Sequence, residues 1–82
     1  MRVLLFARLR DEIGQEFLDI DIAGHCTLAR LKQALAEAHS LLKKEIEAGR
    51  VLTAVNQALC HDDNLVLTGA EEIALFPPMT GG

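Results

Sequence analysis

Two stretches near opposite ends of the chain are apolar at consecutive positions, and they limit the folds open to it. In Val3-Leu4-Leu5-Phe6-Ala7 and in Ile73-Ala74-Leu75-Phe76, the period of two that a strand imposes gives an apolar set on each face. A strand of that kind belongs inside a sheet, with neighbours on both sides. We therefore expect interior strands over residues 2–8 and 72–76.

The intervening sequence supplies the rest of a small α+β domain. Leu9 and Ile13 stand four residues apart, enough for one helical turn before Gly14 breaks it. Residues 17–22 alternate, with Leu18, Ile20 and Ile22 on one face and Asp19 and Asp21 on the other, and read as an edge strand paired with the first as a hairpin. Thr27 is a suitable N-cap, because its hydroxyl accepts from an orphan backbone N–H of the following turn. Leu28, Leu31, Ala34, Leu35 and Ala38 then recur at helical spacing, predicting an amphipathic helix over residues 28–39 whose leucine face lies on the sheet. A shorter helical segment from Ser40 is stopped by Gly49. Residues 51–56 read as a strand, Asn56-Gln57 as a turn and residues 58–60 as a brief further strand. Residues 65–67 are too short to assign, and Thr68-Gly69-Ala70-Glu71 is a turn into the last strand. This order predicts a β-grasp, or ubiquitin-like, fold: a mixed sheet of about five strands, one main helix across one face, and the last strand parallel to the first.

Several functions are disfavoured by composition. The chain has 82 residues, a net charge of −4, three Phe and neither Trp nor Tyr. A surplus of acid opposes the phosphate attraction that dominates nucleic-acid binding, and few rings are available to stack on bases, so no nucleic-acid partner is expected. The opening apolar run is too short for a signal peptide, and no run approaches the roughly 18 apolar residues of a membrane span. We expect a cytoplasmic protein with no membrane partner. Cys26 and Cys60 form no C-x-x-C pattern and read as reduced thiols. Cys60-His61-Asp62-Asp63 places ligand-type residues side by side, at a spacing that fits neither zinc nor calcium, so no metal site is expected. There is no phosphate-cradling glycine loop and no Ser/His/Asp set, so the chain alone is expected to bind no cofactor.

The end of the chain is chemically distinctive. Pro77 cannot donate to a ladder and Pro78 holds Pro77 extended, so pairing ends at Phe76. The expected division is a domain over residues 1–76 and an extended, mobile tail over residues 77–82. Gly81 and Gly82 lack a Cβ, which lets backbone pass a narrow channel and approach reacting atoms. An α-carboxylate is ionised at neutral pH, so it can attack a phosphate, but it is a poor electrophile until one oxygen becomes a leaving group. On an ideal strand Phe76 faces opposite Leu75, so if Leu75 meets the helix, Phe76 faces away and is available as a partner anchor.

Four stretches together resemble the small sulfur-carrier subunit of molybdopterin synthase. They are Val3-Leu4-Leu5-Phe6-Ala7-Arg8-Leu9-Arg10, Ala54-Val55-Asn56-Gln57, Gly69-Ala70-Glu71-Glu72-Ile73-Ala74-Leu75 and Phe76-Pro77-Pro78-Met79-Thr80-Gly81-Gly82. The resemblance spans the chain, and its departures are mild: Ala70 stands where members often carry Asp, and Met79 where they often carry Val. It implies that a ubiquitin-activating-type adenylyltransferase uses ATP to adenylate Gly82, and that a sulfur donor protein converts the adenylate to a thiocarboxylate. The carrier would then dock in the large subunit, in a heterotetramer, and pass sulfur to cyclic pyranopterin monophosphate. Gly82, with Gly81, would carry the chemistry, and Phe76, Pro77, Pro78, Met79 and Thr80 would contact partners. Two alternatives stay open: a sulfur carrier for another pathway, such as thiamine thiazole formation, and a ubiquitin-like protein modifier or binding module.

Overall fold

The first strand ends sooner than its apolar run. A computed structural model describes residues 1–22 and 24–78, and in it β1 covers Arg2–Leu5. Ala7 then takes a left-handed φ of 53° and starts helix α1 (Ala7–Ile13). The expected strand over residues 2–8 is thus corrected to a shorter strand and a longer helix. Apolar content alone does not reveal the change of backbone direction. Gly14, at φ 81°, closes α1 by donating its N–H to the Arg10 carbonyl, a conformation a residue with a Cβ adopts only at a cost.

Strand β2 (Phe17–Asp19) pairs antiparallel with β1. It is shorter than the expected residues 17–22, its register running from Leu4 opposite Phe17 to Arg2 opposite Asp19. The last contacts are the exchange between Met1 and Ile20, in which each backbone nitrogen donates to the other residue's carbonyl at 2.8 Å. A two-residue strand β3 (Cys26–Thr27) leads into α2 (Leu28–Ala38), where the Thr27 hydroxyl accepts from the Arg30 N–H at 3.2 Å, as its N-cap role requires. Helix α3 (Ser40–Glu47) follows after His39 breaks the helical geometry, and Gly49 at φ 73° turns the chain back.

Strand β4 (Leu52–Val55) and the short β5 (Ala58–Leu59) form a hairpin. Its turn residues Asn56 and Gln57 both have positive φ, 51° and 69°, the mirror-image turn whose twist suits a two-residue hairpin. The unassigned segment resolves as β6 (Val66–Leu67), which pairs with β3 in a separate two-stranded sheet. Strand β7 (Ile73–Phe76) completes the main sheet, whose order is β2-β1-β7-β4-β5, with β1 and β7 parallel. Both doubly apolar strands therefore lie inside the sheet.

Strand alternation sends Val3, Leu5, Ile73 and Leu75 to one side, where they meet Leu9 of α1, Leu28, Leu31 and Leu35 of α2, and Leu42 of α3. Each such leucine contributes roughly 1.5–3 kcal/mol by leaving water. Among the described residues one buried side-chain polar atom, the Thr53 hydroxyl, has no hydrogen-bond partner. No described helix is long and apolar enough to cross a membrane. Cys26 and Cys60 are free, half-buried thiols packed against the core.

Candidate functional site

The helices all contribute to one side of the main sheet, and the opposite side remains apolar without such a cover. Residues opposite one another across a ladder share a face, so the register places Leu4, Ala54, Ala74, Leu52, Phe76 and Leu59 together on this outer side. None of them belongs to the core cluster. Ala54 and Ala74 are directly opposite, and because each projects only a methyl group, the middle of the face is hollow. Larger groups surround it: Phe6, Phe76 and Leu59 line a depression of about 360 Å³, bounded also by Gln57 and Glu72. Phe6 and Leu59 are 37% and 59% exposed.

Phe76 faces away from the helices and is half-buried, because its ring is stacked on Phe6, with centroids 4.7 Å apart and planes 8° from parallel. At the far end of the face, the Arg2 guanidinium lies 4.1 Å from the centre of the Phe17 ring and covers it. The start of β7 is held by a reciprocal pair: the Asn56 N–H donates to the Glu72 carbonyl at 2.8 Å, and the Glu72 N–H donates to the Asn56 side-chain oxygen at 3.0 Å. Strand β7 thus enters the face tethered at one end and leaves it at Phe76, followed by half-buried Pro77 and Pro78. Met79, Thr80, Gly81 and Gly82 lie outside the described residues.

Two carboxylates elsewhere in the domain have lowered pKa values, each held by specific donors. The Glu45 carboxylate on α3 is nearly buried and accepts from the Arg50 guanidinium at 2.7 and 3.3 Å, with Arg8 at 3.8 Å. The Arg50 hydrogen bond holds Glu45 below the ordinary carboxylate range. Glu71 is also lowered, chiefly by the backbone N–H of Thr68, which donates to its carboxylate in the turn before β7. Among the described residues no group of three or more His, Cys, Asp or Glu side chains is placed to hold a metal.

Of the sequence-predicted partner residues, Phe76, Pro77 and Pro78 stand at the exit of β7. Phe6 and Leu59, which line the same depression as Phe76, are not among them. The signal for Phe6 was present, since parallel alignment of the first and last apolar runs pairs Phe6 with Phe76. Leu59 carried none, because its face depends on the register of a two-residue strand.

A mixed sheet clasping one main helix, with its last strand parallel to its first and leading to the chain's end, defines a ubiquitin-like β-grasp domain. Small archaeal modifier protein 1 from Haloferax volcanii has the same fold: its crystal structure superposes with a TM-score of 0.83 at 27% identity, covering 100% of this chain and 98% of that one. The chain belongs to the ThiS family, whose profile matches residues 3–82. It is 37% identical to the molybdopterin synthase sulfur carrier subunit of Escherichia coli strain K12, over 100% of this chain and 99% of that one. A solved complex of subunits 1 and 2 of the molybdopterin-converting factor from Helicobacter pylori contains a similar chain, with a TM-score of 0.69, 27% identity, and coverage of 99% of this chain and 96% of that one.

Proposed function

We propose that the chain is the sulfur carrier of a molybdopterin synthase, with the Gly82 carboxylate as its working group. The observation that carries this reading is the end-to-end match to the Escherichia coli carrier subunit, within a family profile that runs through Gly81 and Gly82. In the first step a Gly82 carboxylate oxygen attacks the α-phosphorus of ATP on an activating enzyme, and pyrophosphate leaves. A donor protein delivering sulfur at the sulfide level then forms the carbonyl C–S bond as AMP leaves, giving a thiocarboxylate, which passes its sulfur to cyclic pyranopterin monophosphate in the large subunit and returns to the carboxylate by taking up water. ATP belongs to the activating enzyme in this scheme, and this chain holds no cofactor.

The outer face supports the docking part of the reading. Ordering a tail costs roughly 1–2 kcal/mol per residue in backbone entropy, so a carrier needs apolar surface elsewhere to offset that cost. The hollow ringed by Phe6, Leu59 and Phe76 adjoins the point where the tail departs. The complex from Helicobacter pylori supports a large subunit as the occupant. The test is intact mass after incubation with ATP, a competent activating enzyme and a sulfur donor. Replacement of one oxygen by sulfur at Gly82, followed by dithiolene product on adding the large subunit and pyranopterin, is expected; an unchanged mass sinks the reading.

A second reading, covalent attachment of Gly82 to lysines of other proteins, is favoured by the likeness to small archaeal modifier protein 1. The same incubation with cell extract distinguishes it, since a modifier yields higher-mass conjugates that survive thiols.

A further inference from the structure

The main sheet ends at β2, which pairs with β1 on one side, and none of the described residues extends it on the other. Its ladder fixes which backbone groups are spare. In an antiparallel pair alternate residues exchange both hydrogen bonds; Met1 and Ile20 form such a pair, and the Glu16 carbonyl accepts from the Leu5 N–H at 2.8 Å. The register puts Leu18, opposite Val3, in the bonded pair between them. Phe17 and Asp19 therefore turn their N–H and C=O groups to the open edge, a template for a further strand. Between that edge and α2 lie two depressions of about 570 and 540 Å³, which share Asp19, Ile20 and Ala38. Ala34 and Ala38, one helical turn apart, leave room where larger side chains would close the groove against Ile20 and Ile22. The strand's other set is acidic: residues 15–22 hold Glu16, Asp19 and Asp21 and no Lys or Arg. The Met1 amino group stands 3.8 Å from Asp19, whose side chain is still 75% exposed. On the helix side Arg30 and Glu37 balance one another in charge, while His25 lines one depression and His39 the other.

We propose that the free edge of β2 docks an extended segment of another protein that alternates apolar and basic residues, bound as an added strand with its apolar side chains in the groove beside α2. The alternation follows from the ladder. Residues opposite one another share a face, so a partner residue opposite Asp19 stands on the outer side of the sheet. Its neighbours, opposite Leu18 and Ile20, point to the side of the helices. The first kind of position favours Lys or Arg, through an opposite-charge cross-strand pair. The second favours apolar groups that fill the space beside Ala34 and Ala38. Backbone bonds to Phe17 and Asp19 supply the pairing and the side chains supply the selection, as strand addition generally does. A second copy of this chain is the wrong occupant: β2–β2 pairing gathers two sets of Asp19 and Asp21 on one face, and like charges across a ladder repel. The inference does not rest on the carrier reading, since it uses neither Gly82 nor the hollow beside Phe76.

The experiment titrates the isotope-labelled full chain, followed by NMR, with a capped peptide of about seven residues in which Lys alternates with Val. We expect saturable shifts at residues 17–22 and 34–38 and none at Leu59 or Phe76. Hydrogen exchange at Phe17 and Asp19 should slow by about 10-fold or more as their N–H groups become bonded, with a smaller change at Leu18, which is bonded already. Three altered peptides should each bind about 10-fold or more weakly: Glu in place of Lys, the same residues in two blocks, and N-methylated Lys that cannot donate to β2. In the chain, Asp19→Lys combined with Asp21→Lys should reverse the preference toward the Glu peptide, and Ala34→Leu should fill the groove and weaken binding by about 10-fold. Should the charge reversal fail to fold, Ala34→Leu and the peptide series on the unaltered chain still decide the matter. Equal binding of the Glu or block peptide, shifts centred on Leu59 and Phe76, or unchanged exchange at Phe17 and Asp19 would each overturn the inference. So would the absence of a saturable shift up to about 1 mM alternating peptide, which would leave the acidic residues as guards of an open edge and nothing more. None of these outcomes bears on the carrier reading, which the mass measurement decides separately.

Discussion

The two faces of the main sheet are built from the same strands and alternate residue by residue, yet they are finished differently. On the inner face Val3, Ile73 and Leu75 are fully buried beneath leucines from all three helices. On the outer face the neighbouring positions are also apolar, but they stop at two alanines, two stacked rings and a leucine left 59% exposed. A sheet that needed only to fold would place polar residues on the uncovered side, as edge strand β2 does at Asp19. An uncovered apolar face next to the exit of β7 is the kind of surface the proposed docking requires, since contiguous exposed apolar patches mark interaction sites.

The sharpest way to break this comparison is to cut into each face in turn. Leu31→Ala empties part of the inner face and should cost about 2–5 kcal/mol. In a chain of this length that lowers Tm by about 10 °C or more, read by circular dichroism. The fraction that remains folded should still bind the large subunit with unaltered affinity. Phe76→Ala should do the opposite, weakening binding by about 10- to 100-fold, as expected for a buried aromatic anchor, with a smaller loss of Tm than Leu31→Ala. If Phe76→Ala instead destabilised as much as Leu31→Ala and bound normally, the outer face would be a second core rather than a docking surface.

How much of this contrast could be read from the sequence depends on distance along the chain. The α2 helix was legible to within a residue, because Thr27 marks its start and five apolar residues keep its period. The interior placement of β1 and β7 was legible from their double apolar faces, and so was the direction of Phe76. What escaped was decided by single backbone angles or by very short pairings. Nothing in Phe6-Ala7-Arg8 announces a left-handed φ at Ala7, so the apolar run alone extends the strand beyond its observed end at Leu5. The β3–β6 pairing involves two residues on each side, too few for any period to show. Nothing in the sequence singles out Glu45, and only the fold brings Arg50 and Arg8 to it. The chemistry proposed for Gly82 rests chiefly on resemblance, since a main-chain carboxylate has no side-chain signature.

Glu45 provides the smallest and most selective test, because it belongs to neither face. Its carboxylate ties α3 to the segment entering β4 through Arg50, and the Arg50 hydrogen bond lowers its pKa from the ordinary 4.5. A carboxyl group whose pKa is lower folded than unfolded binds fewer protons in the native state. Its stabilisation is therefore complete above the unfolded value and is lost as the pH falls through the folded one. Glu45→Gln should thus have a lower Tm than the unaltered chain at neutral pH, and the two should converge as the pH falls from the ordinary glutamate value through the lowered one. The apolar inner face carries no such titration, so Leu31→Ala should keep its deficit across the same range. A Glu45→Gln gap that persisted unchanged into acid would mean that packing of the α3 side chain, rather than its charge, holds that helix against the sheet.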